Sequence, residues 1–364
     1  MLESRLRKIV ERVPDGHEPI MKGPETVLFD NNGIMYVMTE DGKLVSLTDF
    51  EEGSPVDSVA VSTAKATVVM YLGNGRPLGG RFSKDGILYI ADTLLGLTRV
   101  RFRATGVPIV EVVASHVDMN AKTRPLLYTN DVAIGPKTGN IYFTDSTDVI
   151  PDRIGSHSWD TLHASKIDFL RGARNGRLLR YDPITEELDV LAEGIWFANG
   201  VAVDKQETFV MISETWSSRV LQYHILNKKT DKVGTVEVMA DKFPGFPDGA
   251  ECSHTSGNCY APLPSSEPTL MRKVRNMPNY LDLIPRAIFM MLPKWATPKP
   301  VKYGGIVEIS YDGTERGQRY AQRVIQDPEG EVFSMITGVT EHEGKLYLGS
   351  LKNEYIGVYD LQQE

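Results

Sequence analysis

At 364 residues, 41% hydrophobic and with a formal net charge of −8, the chain can build a sizeable core, either in several ordinary domains or in one large all-β architecture. The acidic balance leaves no basic footprint for nucleic acid and works against anionic membrane surfaces. The charged stretch MLESRLRKIVERVPDGHEP reads as neither signal peptide nor anchor, and no apolar run reaches the length of a membrane span, which leaves the compartment open.

The first expected element is a short amphipathic helix within residues 1–20 that stops before Pro14. From there the chain repeats. ETVLFDNNGIMYV (from 25), LGGRFSKDGILYI (from 78), NDVAIGPKTGNIYF (from 130), NGVAVDKQETFVMI (from 199), DGAECSHTSGNCYA (from 248) and ITGVTEHEGKLYLG (from 336) each read as an alternating strand, a polar turn and a second strand. Further strand-like text follows each, from GKLVSL at 42 to YIGVYDL at 355. A spacing of about 50 residues with three or four strands per unit is that of propeller blades. The expected fold is an all-β, six-bladed β-propeller, with residues 1–364 forming one domain. Two intervals are longer, 147–172 with its histidines and 264–300 with its prolines and methionines. Both are expected as helical or loop insertions on one face.

ECSHTSGNCY holds the two cysteines, Cys252 and Cys259. Two buried thiols and a disulfide across that hairpin are the alternatives, whereas zinc would find only His254 nearby.

Residues at equal positions in successive blades sit at equal positions around a propeller axis. Counted back from each turn, the first-strand positions are Glu25, Leu78, Asn130, Asn199, Asp248 and Ile336. Asn and Asp are disfavoured in strands, and any one of them taken alone reads as a turn or cap. Agreement in register across Glu25, Asn130, Asn199 and Asp248 points instead to a ring at the hub. Two carboxylates and two amides offer hard oxygen donors, which suit Ca2+ better than zinc. Asp131 either orients Asn130 or has a separate structural role. Asp92, Asp145 and Glu214, which end second strands, are expected to anchor blades through backbone hydrogen bonds.

The motifs GRPLGGRFSKDGILYIADTLLGL, YTNDVAIGPKTGNIYFTDST, NGRLLRYDP, GIWFANGVAV, FPGFPDG and EHEGKLYLGSL together resemble the strictosidine synthase-like family, from about Gly23 to Asp360. The resemblance implies kinship with paraoxonases, gluconolactonase and diisopropyl fluorophosphatase, six-bladed propellers whose central calcium is held by a Glu, two Asn and an Asp. By motif these residues are Glu25, Asn130, Asn199 and Asp248. It also implies hydrolysis of small-molecule esters, lactones or organophosphates. Asp248 is the expected general base or, toward phosphorus, the nucleophile, with Glu25 the second catalytic carboxylate.

The glutamate with which strictosidine synthase performs its condensation has no counterpart in Ser334 to Thr337, which weakens a condensing-enzyme reading. A non-catalytic binding propeller that keeps calcium as a rivet is the other alternative. For a paraoxonase-like histidine at the mouth His116 is the nearest candidate, while His157 and His163 read more readily as solvated loop residues. Residues 279–296, apolar between prolines, are expected as a lid, as rim packing or as a weak membrane contact. The chain is expected to be a monomer or dimer.

Overall fold

The computed structural model describes residues 5–56, 59–103, 106–119, 122–156, 158–225, 233–277, 283–292, 301–311 and 319–362. Among them the expected β-propeller is present as six four-stranded blades, four of them separate sheets and two joined in one larger sheet. The innermost strands are Val27–Phe29, Pro77–Phe82, Thr129–Ile134, Ala198–Val203, Glu251–Cys252 and Ile336–His342, and each pairs antiparallel with the strand that follows it. Second strands such as Leu88–Asp92, Ile141–Asp145 and Phe209–Glu214 are buried at every residue, because a blade covers each face.

The N-terminus corrects the expected helix. Residues Leu6–Glu11 form strand β1, which pairs antiparallel with Tyr355–Asp360 and parallel with Val59–Tyr71. Three C-terminal strands leave the sixth blade with an open edge of unpaired backbone groups. β1 fills that edge and joins the first and sixth blades into one eight-stranded sheet. The apolar spacing of Leu6, Ile9 and Val10 suits a helix, but the demand of the ring for a closing strand overrides local periodicity.

An apolar cluster fills each interface between neighbouring blades. Val201, Ile212 and Leu178 pack between the third and fourth, for example, and Met211, Ala261 and Val307 between the fourth and fifth. At the hub the innermost strands approach so closely that side chains are excluded. A Cβ on Gly200 would lie 2.1 Å from the Gly249 carbonyl carbon, and one on Gly338 would lie 2.1 Å from the Glu25 carbonyl oxygen.

The long intervals carry helices on one face: α1 (Thr161–Arg171) in the first, α2 (Thr269–Arg275) and α3 (Leu283–Met291) in the second. Asp160 caps α1 by accepting from the His163 backbone N–H at 3.0 Å, and Gly172 ends it with φ +65°. The absence of a side chain at Gly172 also leaves room for Arg286 of α3, whose Nη1 donates to the Phe169 carbonyl and whose guanidinium lies 4.9 Å from the Trp196 ring centroid. His157, residues 278–282 and residues 293–300 lie outside the described residues. Cys252 and Cys259, a register pair across their hairpin, form a disulfide. Among the described residues no helix is long and apolar enough to cross a membrane.

Candidate functional site

Four of the ring positions stand where the innermost strands bulge, while Glu25 and Asp248 come just before theirs. Pairing slips between Pro77 and Gly80, Thr129 and Val132, Ala198 and Val201, and Ile336 and Gly338. A bulge inserts an unpaired residue and re-aims its side chain, so strand propensity ceases to govern that position. Leu78, Asn130, Asn199 and Thr337 are the residues re-aimed. The sixth position is therefore Thr337 and not Ile336, which is 2% exposed and packs between the fifth and sixth blades. The pairs Leu78-Gly79, Asn199-Gly200, Asp248-Gly249 and Thr337-Gly338 show the signal that counting from the turn missed. A small residue follows the ring position because its neighbour comes too close for a side chain.

Each ring amide is held by a hydroxyl from the residue that directly follows the adjoining second strand. Asn130 Nδ2 donates to Ser146 Oγ at 2.9 Å, and that hydroxyl donates to the Ala198 carbonyl at 2.6 Å. In the next blade Asn199 Nδ2 donates to Thr215 Oγ1 at 3.2 Å, which donates to the Pro247 carbonyl at 2.8 Å. With its nitrogen fixed in this way, each amide keeps its oxygen for another partner. Asp131 does not orient Asn130. Its carboxylate accepts from the Val132 N–H at 2.8 Å and from the Val201 N–H of the next blade at 3.0 Å, which makes it a strap between blades.

Glu25, Asn130, Asn199, Asp248 and Thr337 all border a hub cavity of about 20 Å³, room for a water or an ion of similar size. Burial pushes the Glu25 carboxyl up to about 7, against the pull of Arg76, whose Nη2 lies 3.8 Å from Glu25 Oε2. Burial and the neighbouring Glu25 push Asp248 well above the usual carboxylate range. Below the hub, burial raises Asp131 to about 6 and Glu251 to about 7, both facing Arg81, which pairs with Glu251.

Glu25 Oε2 and Thr337 Oγ1 are buried without a hydrogen-bond partner, a cost proteins seldom leave unpaid. Two mutually repelling carboxylates, two oriented amides and two orphaned oxygens around an ion-sized space fit a hard divalent cation with oxygen ligands. No group of three or more His, Cys, Asp or Glu that could hold a metal occurs among the described residues, so the hub offers two carboxylates and must draw its other donors from amide and hydroxyl oxygens.

Above the hub the same Glu25, Asn130, Asn199 and Asp248 floor a larger cavity of about 350 Å³. Its walls are largely apolar: Tyr128, Phe169, Phe197, Trp216 and Phe246 surround the floor, and Phe289, Met290 and Leu292 from α3 and its end close one side. His163 on α1 also lines it, as do Arg76, Lys166 and Lys352, none of which the sequence reading assigned a site role there. His116 does not fill the expected place at the mouth. It sits exposed on the strand His116–Met119, its Nδ1 2.9 Å from Ser115 Oγ. Asp92, Asp145 and Glu214 act as expected: Asp92 Oδ1 accepts from the Leu94 and Leu95 N–H groups, Asp145 Oδ1 from that of Tyr128, and Glu214 Oε1 from that of Trp196.

Residues 130–228 match the family model described as strictosidine synthase. The chain is similar over most of its length to adipocyte plasma membrane-associated protein of Salmo salar, 29% identical across 95% of this chain and 77% of that one. It is also 29% identical to strictosidine synthase-like 3 of Arabidopsis thaliana, across 94% and 83% of the two chains. Among solved structures, a gluconolactonase from Xanthomonas campestris superposes with a TM-score of 0.57 at 12% identity, covering 93% of this chain and 86% of its own. The regucalcin of Agrobacterium tumefaciens, described as a calcium-binding protein, gives 0.51 at 12% identity, covering 96% and 94%. At such identities the structural likeness concerns the fold.

Proposed function

We propose, for a chain that resembles the strictosidine synthase-like proteins along nearly its whole length, calcium-dependent hydrolysis of small-molecule esters or lactones, with phosphoesters open to the same chemistry. The observation that carries the reading is the convergence of Glu25, Asn130, Asn199 and Asp248 on one ion-sized space that is also the floor of an apolar cavity. Calcium at that position would supply Lewis-acid polarisation of the scissile carbonyl.

The chain's own residues account for the other requirements. Asp248, whose carboxylate stands at the floor of the cavity, takes the proton of the attacking water. Glu25, held beside Arg76, contributes the second carboxylate to the floor. The Ser146 and Thr215 hydroxyls keep both amides in one orientation, so little reorganisation accompanies the reaction. Trp216, Phe246 and Phe289 exclude bulk water and favour an apolar substrate body.

Phenyl acetate and a panel of lactones, assayed with calcium, with a chelator and after calcium is restored, test the reading. Turnover lost to the chelator and recovered with calcium is expected. Absence of turnover by the calcium-loaded chain, or turnover indifferent to the chelator, would sink it.

A further inference from the structure

Helix α3 is turned inside out. Arg286, its one charged residue, is 4% exposed, whereas Leu283, Ile284, Ile288 and Met291 are each more than half exposed. The arginine faces inward because its partners lie there: Nη1 donates to the Phe169 carbonyl, and the guanidinium stands 5.3 Å from the Phe169 ring centroid. Phe289, three residues on, packs against the same aromatic cluster. With Arg286 and Phe289 fixed inward, the helix must carry its other apolar side chains toward solvent, the reverse of a surface helix that packs on a core. The apolar surface extends beyond α3. Leu270 of α2 is exposed, and Met271 beside it shares the Phe289 cluster. Met290, and Ile154 of the other insertion, are exposed and also line the 350 Å³ cavity, so the apolar surface runs into the cavity. Exposed apolar surface of this kind marks a place where another phase or molecule docks.

Charge selects the occupant. Residues 264–300, which carry both helices, hold six basic and two acidic residues, net +4 in a chain of net −8. Arg272 and Lys273 of α2 are exposed. An apolar helix face with lysine and arginine beside it suits the boundary of an anionic bilayer, where the apolar side chains enter the lipid and the cations meet the headgroups. A second copy of the chain fits less well, because a two-fold interface would set one net-positive interval against another. At nine residues α3 is too short to span a membrane and can only lie along it.

We propose that α2 and α3 seat this face of the propeller on an anionic lipid surface, with the cavity opening beside the lipid. The proposal goes beyond the hydrolytic reading and does not depend on it.

Flotation of the full chain with vesicles of phosphatidylcholine, alone or mixed with phosphatidylglycerol, tests the surface without any turnover. Binding to the mixed vesicles is expected, weaker on phosphatidylcholine alone and weakened by salt. Ile284→Asp/Ile288→Asp is expected to lower the partition coefficient roughly a hundred-fold, the value of two isoleucine side chains kept in water, at unchanged melting temperature. Lys273→Gln is expected to lower it roughly five-fold on the mixed vesicles only. The control is Val107→Asp. Val107 is equally exposed to solvent but lies in the turn between Gly96–Arg101 and Ile109–Ala114, at the end of its blade remote from the cavity, and its loss should leave binding intact. No binding by wild type, equal binding to both vesicles, or binding undiminished in the double aspartate variant overturns the proposal. So does a dimer in sedimentation equilibrium that the double variant dissolves, since a second copy would then cover α3.

Discussion

Asp248→Asn is expected to lower kcat for ester hydrolysis by about 10³-fold, the scale of a lost general base, while the chain still folds. The substitution keeps a donor oxygen at the hub and removes the group that takes the proton. It also removes one of two buried carboxylates that repel each other, since burial first and Glu25 second raise the proton affinity of Asp248.

The same change is expected to alter how metal-free stability depends on pH. Glu25 is raised from 4.5 to about 7, so the folded chain binds its proton more tightly than the unfolded chain does. Its contribution is complete below about pH 4.5 and is lost as pH rises through about 7, and Asp248, shifted in the same direction, behaves alike. In chelator, wild type should lose melting temperature between pH 5 and pH 8, and Asp248→Asn should lose less. Full esterase activity in the variant with calcium bound would refute the catalytic role of Asp248. An equal pH slope would refute the electrostatic account.

Gly200→Ala is expected to destabilise the chain by about 3 kcal/mol, at the upper end for overpacking, and to abolish metal binding with it. The added Cβ would meet Gly249 backbone atoms at 2.1 to 2.5 Å, and backbone cannot rotate away as a flexible side chain can. The Gly200 N–H donates to the Asp248 carbonyl at 2.8 Å, so relief of the clash displaces Asp248 itself. Gly155→Ala, where the nearest atom to an added Cβ is 3.5 Å away, is the control and should change stability little. Chemical denaturation of both variants gives the comparison, and near-equal midpoints would mean that the fourth and fifth blades are not held as close as the hub requires.

The repeat was legible because a propeller imposes one pattern on every blade, and turns with alternating strands recur wherever a hairpin must form. Glu25, Asn130, Asn199 and Asp248 were legible for the same reason, as four oxygen-bearing residues at one register. Thr337 was missed because the turn before Lys345 differs in length from the others, so counting back from it landed one residue too far, on Ile336. The glycines that follow ring positions would have corrected the count. β1 was misread because its partner strands lie at the other end of the chain and in the first blade, contacts to which no local periodicity refers. The pairing of Asn130 with Ser146 likewise depends on how two elements meet in the fold, which a linear pattern does not display.

The central claim is that oxygen atoms from separate blades hold one divalent ion at the hub. Calcium titration calorimetry of chelator-stripped chain at neutral pH tests it most directly, with wild type beside Glu25→Gln/Asp248→Asn. One calcium bound per wild-type chain, and none by the double variant at matched fold content, is the predicted result. No binding by wild type, or an undiminished isotherm in the double variant, would contradict it.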